Sequence, residues 1–321
     1  MSVNQDQTIQ GFWHDLERDG GDLDLWHIYC DYLEDQRHPR WGVTRLWIQQ
    51  RTTTLSGEAR SRLSELLRTG KRPLLPWRVS SIGIELVLVP RGTFWMGENG
   101  RNAQQEVTIE NDLYLGIYQV TQGEWTEIMG SNPSFFSRNG ERQYRTIGIS
   151  NEVLLRFPVE NVSWDQVQEF LKRLNQREEQ SGLLYRLPSE REWEYSCRSG
   201  LTSKEDCSYD FYLSEPTNNL SSDQANFNGN SRAGPASGSN YLRRPTVVGS
   251  YEPNALGIYD MHGNVYEWCE DESGSARVIR GGSWLHHDWN CRTSHCYWSP
   301  PSNSYDFLGF RLACSFTGSS N

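Results

Sequence analysis

Apolar positions fall three and four apart through residues 22–37, "DLDLWHIYCDYLEDQR", where Leu25, Trp26, Tyr29, Tyr32 and Leu33 share one face. That period predicts an amphipathic helix with its apolar stripe turned toward a core. Residues 40–53 and 57–69 predict two more helices. Pro73 and Pro76 then end the helical pattern, because proline lacks the N–H and clashes with the preceding turn. From residue 79 the pattern changes. "IELVLVPRGTFWMGE" (84–98) predicts a strand, a turn and a second strand. Three helix starts follow, pairing Thr121 with Glu124, Ser163 with Gln166 and Ser189 with Glu192. In each, a hydroxyl and a side chain three residues on can satisfy orphan N–H groups reciprocally. The second start leads into one apolar stripe of Val167, Phe170, Leu171 and Leu174. Beyond Gly200 the periodicity fades into roughly sixty residues rich in Ser, Asn, Gly and Pro, a length of loop that needs packed aromatics or a metal to order it. The division expected is a helical N-terminal module over 1–78 and an α+β domain over 79–321.

Composition narrows the function. Aromatic residues make up 12% of the 321 and glycine contributes 28, a mixture suited to a fold with many turns and a large core. A formal net charge of -10, with no basic stripe, argues against a nucleic-acid partner. There is no run of about 18 apolar residues, so no membrane span is expected, and the polar start predicts a cytoplasmic chain. The seven cysteines (30, 197, 207, 269, 291, 296, 314) form no CxxC pair, which favours free thiols over a disulfide framework or a zinc site.

The blocks "VPRGTFWMGE", "YQVTQGEW", "PVENVSWDQVQEF", "YRLPSEREWEYSCRSG", "NALGIYDMHGNVYEWCED", "VIRGGSW" and "LGFRLA" resemble, in order, those of the formylglycine-generating-enzyme (sulfatase-modifying) domain. The resemblance runs over about residues 80–314 and implies that family's irregular C-type-lectin-like fold: a small twisted sheet, two main helices and much loop. The N-terminal stretch is similar to short helical modules of repeat-containing bacterial proteins, a likeness that implies a protein partner for it.

Chemistry does not follow from fold. The oxygen-dependent enzymes of this family are similar in a Cys-x4-Cys pair after the GGS block that binds copper, a soft ion suited to two thiolates. The matching positions here are His286 and Cys291, so the dithiolate cannot form and no copper is expected. The expectation is a protein that is not an enzyme; the alternative is a formylglycine-generating-type oxidase of a substrate cysteine, or a degenerate relative. His286, His287 and Asp288 offer iron-type ligands, but neighbours in an extended chain point to opposite faces. The resemblance implies structural calcium, a hard cation held by oxygen ligands. "MHGNVYEW" nominates Asn264, the Val265 carbonyl and Glu267, and "QANFNGN" nominates Asn226 and the Phe227 carbonyl, with Asn240 nearby where the enzymes carry Asp.

The C-terminal stretch "VIRGGSWLHHDWNCRTSHCYWSPPSNSYDFLGFRLA" has orderly borders and disorderly contents. The same borders resemble those of the variable proteins of diversity-generating retroelements, in which a reverse transcriptase rewrites the gene's last segment at adenines. Mutated AAC or AAT codons cannot become Lys, Glu, Gln, Met or Trp. Between Leu285 and Phe307 there is no Lys, Glu, Gln or Met, and Trp289 and Trp298 are then template-fixed framework positions. A face that tolerates any side chain must be held by other groups. Trp284 and Phe310 are the expected buried anchors, and Arg280, the Gly281-Gly282 pair and Arg311 are expected to fix the strands. The residues expected to stand outward and bind a ligand are Leu285, His286, His287, Asn290, Thr293, His295, Tyr297, Ser299, Ser304, Tyr305, Asp306 and Phe307, a mixture of aromatic area and adaptable hydrogen bonding. The ligand class left open is protein or glycan.

Overall fold

The computed structural model describes residues 3–53, 55–98, 104–230 and 241–317. Four helices open the chain: α1 (Val3–Arg18), α2 (Leu23–Asp35), α3 (Trp41–Thr52) and α4 (Gly57–Arg68). The last three follow the predicted pattern. The first was not anticipated, because its buried contacts rest on Ile9, Trp13 and Leu16 within an otherwise polar stretch. Asp22 starts α2 by accepting the N–H groups of Asp24 and Leu25.

This helical unit is welded to the rest. Trp26 and Trp47 share one continuous apolar core with the strands that follow. Trp47 Nε1 donates to the Ser199 carbonyl at 3.2 Å, Arg51 donates to the Arg91 carbonyl at 2.8 Å, and the Gly20 N–H donates to Asp112 at 2.8 Å. The 78/79 boundary falls inside a strand, β1 (Trp77–Val79).

The remaining elements are β2 (Glu85–Val89), β3 (Gly92–Met96), β4 (Gln105–Ile109), β5 (Leu113–Gly116), α5 (Gln122–Met129), α6 (Asn151–Leu154), α7 (Trp164–Arg177), β6 (Leu183–Arg186) and α8 (Glu190–Cys197). After them come β7 (Phe211–Tyr212), β8 (Pro216–Thr217), β9 (Tyr266–Ser273), β10 (Ala276–Arg280), β11 (Cys296–Ser299), β12 (Leu308–Phe310) and β13 (Ala313–Phe316). All three sequence-predicted capping boxes form, at the starts of α5, α7 and α8.

Five strands in the order β1-β2-β5-β13-β6 make an antiparallel sheet that brings the C-terminal β13 into its middle. A second sheet, β11-β10-β9-β12, carries the site. In it β12 runs parallel to β9 and pairs Phe310 with Trp268, while β11 is an edge strand hydrogen-bonded to β10 alone. Just after β8, Leu220, Ala225 and Phe227 join a small apolar cluster that reaches Cys291.

Candidate functional site

The borders of the C-terminal stretch are buried. Trp284 donates its indole N–H to the Asp306 carbonyl at 3.1 Å and meets Phe136 edge-on at 5.3 Å. Phe310 packs edge-on against Trp125 and Phe170. Arg280 pairs with the buried Glu194 and donates to the Ser294 carbonyl at 3.1 Å. Arg311 holds Glu267 through two contacts of 3.0 and 2.9 Å and donates to the Gly116 and Tyr259 carbonyls, both at 2.7 Å. Gly281 and Gly282 have φ of 93° and 73°, the left-handed region that a side chain disfavours. A Cβ on Gly282 meets the Cys291 sulfur at 2.5 Å. The expected anchors are the anchors found.

Between the borders the chain leaves Trp284, makes a single 3-10 turn over Asp288–Cys291, returns as β11 and turns again at Pro300-Pro301. It thereby wraps one cavity of about 710 Å³. Eight of the twelve nominated residues line it: Leu285, His286, His287, Asn290, Tyr297, Ser299, Tyr305 and Phe307. Tyr305 lies flat on Phe307 at 5.0 Å, His286 meets Phe307 edge-on at 4.9 Å, and Tyr266 of β9 meets His286 at 5.0 Å. The Ser283 hydroxyl accepts the Leu285 N–H and sits 2.7 Å from His286 Nδ1. The hydroxyl can give its hydrogen to Nδ1 or accept one from it, according to the ring's tautomer. Burial, reinforced by His287 and His295, pulls the His286 pKa down to about 4, so the ring is neutral at physiological pH.

Exposure corrects part of the expectation. Leu285, Tyr297, Ser304 and Tyr305 are exposed; His286, His287, His295 and Phe307 are half-buried; Asn290, Thr293, Ser299 and Asp306 are buried. Thr293 is a brace, since its N–H and its hydroxyl both donate to the Asp210 carbonyl, at 2.8 and 2.9 Å. Asp306 folds back onto Arg142 at 2.8 Å. Asn290 ends up in the floor because the 3-10 turn tucks it under His295, 3.3 Å from its Nε2. Ser299 sits opposite Arg277 at the end of β11, where its short side chain is covered. Trp289 and Trp298, assigned to the framework by codon logic, are 49% and 46% exposed and line the cavity. Tyr266, Ile279 and Pro300 complete it and were not nominated.

The oxygen ligands divide. Glu267 accepts from Gln119, Trp193 and Arg311, so both of its oxygens face N–H donors and a guanidinium. The Val265 carbonyl accepts from Gln119 at 2.9 Å, and Asn264 Oδ1 accepts the Thr246 N–H at 3.0 Å. A cation beside Arg311 is repelled, and the Asn264–Val265–Glu267 set does not fit calcium in this arrangement. Asn226 differs in that its Oδ1 is buried without a hydrogen-bond partner, whereas the Phe227 carbonyl accepts the Gly229 N–H at 3.1 Å. Phe227 is adjacent, and Asn240 lies outside the described residues. Among the described residues no three His, Cys, Asp or Glu side chains gather around a common point.

The fold is thus a C-type-lectin-like α+β domain fronted by four helices, with a wide aromatic cavity built by the C-terminal stretch. Residues 79–316 match the family of the sulfatase-modifying factor enzyme 1-like domain, FGE-sulfatase, and the chain belongs to that family. It is 28% identical over 250 residues to the chaperone protein LppX of Paenibacillus barcinonensis, covering 64% of this chain and 80% of that protein. It is 29% identical over 213 residues to the formylglycine-generating enzyme of Streptomyces coelicolor, covering 58% and 63%. Among solved structures, Treponema denticola variable protein 1 superposes with a TM-score of 0.58 at 24% identity, over 75% of this chain and 99% of that one, a likeness of fold.

Proposed function

We propose that this is a non-catalytic display protein of the diversity-generating-retroelement type, which binds a ligand in its C-terminal cavity. The observation that carries the reading is a division of labour. Conserving the fold falls to the buried borders, while eight residues nominated for variability converge on one cavity. The runner-up, a copper-dependent oxidase, is disfavoured by the thiol that such a site needs. Only the second thiol, Cys291, is present, and it is fully buried. Its counterpart, His286, is already hydrogen-bonded to Ser283.

Calcium at Asn226 and the Phe227 carbonyl belongs to this proposal as a brace under the loop, supported by the orphaned Asn226 oxygen. A reducing, cytoplasmic setting is supported by seven cysteines that are all free thiols; no helix among the described residues is long and apolar enough to cross a membrane.

The test is genetic and biochemical. The DNA beside the gene is sequenced for a near-copy of codons 285–307 richer in AAC, next to a reverse-transcriptase gene. The purified chain is loaded with Cu(I) and offered a cysteine peptide under oxygen. A template copy with no turnover is the expected result; oxygen-dependent turnover overturns the proposal.

A further inference from the structure

The cavity's lining carries a second regularity. It contains no Asp, Glu, Lys or Arg, although 22% of the chain is charged. Of the charged groups nearby, Arg280 is committed to Glu194, Arg292 to Glu98 and Asp210, and Asp306 to Arg142, while Asp288, between His287 and Trp289, is not among the lining residues. His286 adds no charge, since it stays neutral down to about pH 4. Enclosing an ion in such a lining leaves it without a counter-charge, at a cost that excludes charged ligands.

The lining is not simply apolar either. Trp289, Trp298 and Tyr297 present broad, half-exposed rings, and at the floor Ser299 keeps a buried hydroxyl with no hydrogen-bond partner. A buried hydroxyl left unpaired costs free energy that a hydrocarbon ligand cannot recover and a ligand hydroxyl can. Asn290 is buried in the same lining, and the neutral His286 ring adds a further polar edge. Flat aromatic faces with a few fixed neutral polar groups describe a ligand that is apolar on one face and hydroxylated at its edge.

Resting on the ligand-binding reading above, we infer that the cavity takes a neutral sugar, a pyranose ring set against the indoles of Trp289 and Trp298 with a hydroxyl on Ser299. The cavity, at about 710 Å³, admits more than one ring, so the inferred ligand is a neutral oligosaccharide rather than a monosaccharide.

The full chain is applied to an array of neutral, sialylated and sulfated oligosaccharides, and each hit is titrated by calorimetry. Hits among neutral sugars are expected, with affinity roughly tenfold weaker in Ser299→Ala, the loss of about one hydrogen bond, and weaker still in Trp298→Ala. Circular dichroism confirms that each variant is folded. Binding confined to acidic sugars, binding unmoved by Trp298→Ala, or no sugar bound each overturns the inference. A selection against a display library of proteins separates it from its parent reading. A protein ligand lost in Trp298→Ala sinks the sugar and keeps the binding face, whereas no ligand of either class sinks both.

Discussion

The central physical claim is that the cavity's exposed aromatics are expendable to folding, and it can be measured against an aromatic of the same stretch that is not. Tyr297 is 57% exposed. A fully enclosed aromatic side chain buries roughly 200 Å², so Tyr297 withdraws about 90 Å², worth at most ~2 kcal/mol at ~25 cal/mol per Å². Alanine retains part of that and the phenol is partly polar, so Tyr297→Ala should cost about 1 kcal/mol. Trp284, 1% exposed, is the opposite case. Trp284→Ala opens a cavity against Phe136, worth about 3–5 kcal/mol. It also leaves the Asp306 carbonyl without its indole donor, at about 1–3 kcal/mol more. Phe307 falls between them, because it is half-buried beneath Tyr305 and against Tyr266; Phe307→Ala should cost about 2 kcal/mol. Urea denaturation of the full chain, followed by circular dichroism, gives the three values. Equal costs for Tyr297→Ala and Trp284→Ala would refute the reasoning, since the face would then be part of the core.

Gly282→Ala should destabilise by about 2–4 kcal/mol, from left-handed backbone plus overlap with Cys291, whereas Gly274→Ala, at φ 63° with open space around its Cβ, should cost only about 1–2; equal midpoints in urea would remove the steric half of that account. Burial lowers the pKa of His262 to about 4, so the unfolded chain binds a proton there that the folded chain refuses, and stability contributed by this residue is lost as pH falls from about 6.5 toward 4. Asp260, raised by burial to about 6, acts in the opposite sense over about pH 4–6. His262→Gln, which keeps an acceptor for the Tyr212 N–H and a donor for the Cys291 carbonyl, should therefore make the slope of stability against pH more negative by about 1.4 kcal/mol per pH unit over about pH 4–6, unmasking the opposite Asp260 dependence in urea denaturation run across that range; an unchanged slope removes His262 from the account. Millimolar calcium should raise the melting temperature of the chain relative to chelator, and Asn226→Ala should abolish the increment; identical melting in calcium and chelator removes the ion from the account.

What the sequence reveals here depends on how local the cause is. Capping boxes were legible because both partners lie within one turn, and all three formed. The anchors Trp284, Phe310, Arg280 and Arg311 were legible because their borders are ordered motifs, although the partners that hold them, Glu194 and Glu267, lie far away in the chain. The burial of Thr293 was not legible, since it depends on the Asp210 carbonyl, delivered by a loop without periodicity. Glu267 was misassigned for a related reason: the pattern "NVYEW" offers an acidic oxygen, and only the fold shows that Arg311 has taken it. Trp289 and Trp298 were misplaced because codon logic concerns which residues can change, and exposure concerns where they point.

That distinction narrows the surface open to the proposed diversification. If every position in 285–307 were free to vary, a protein drawn at random would often replace Thr293 by an aromatic or a charged residue. The site has 0% exposure, and both of its donors are bound to one carbonyl. It would also replace Cys291, whose sulfur already limits what Gly282 can become. Each such change costs about 2–4 kcal/mol, a large part of a domain's stability. A functional display system therefore has to hold Cys291 and Thr293 while releasing Leu285, His287, Tyr297, Ser304 and Tyr305, whose side chains meet solvent or the cavity. A library randomised over 285–307 and selected only for folding, by protease resistance, should retain Cys291 and Thr293 and drift freely at Tyr297 and Ser304. Free drift at Thr293 would mean that the loop is held by contacts other than those that the Asp210 carbonyl makes.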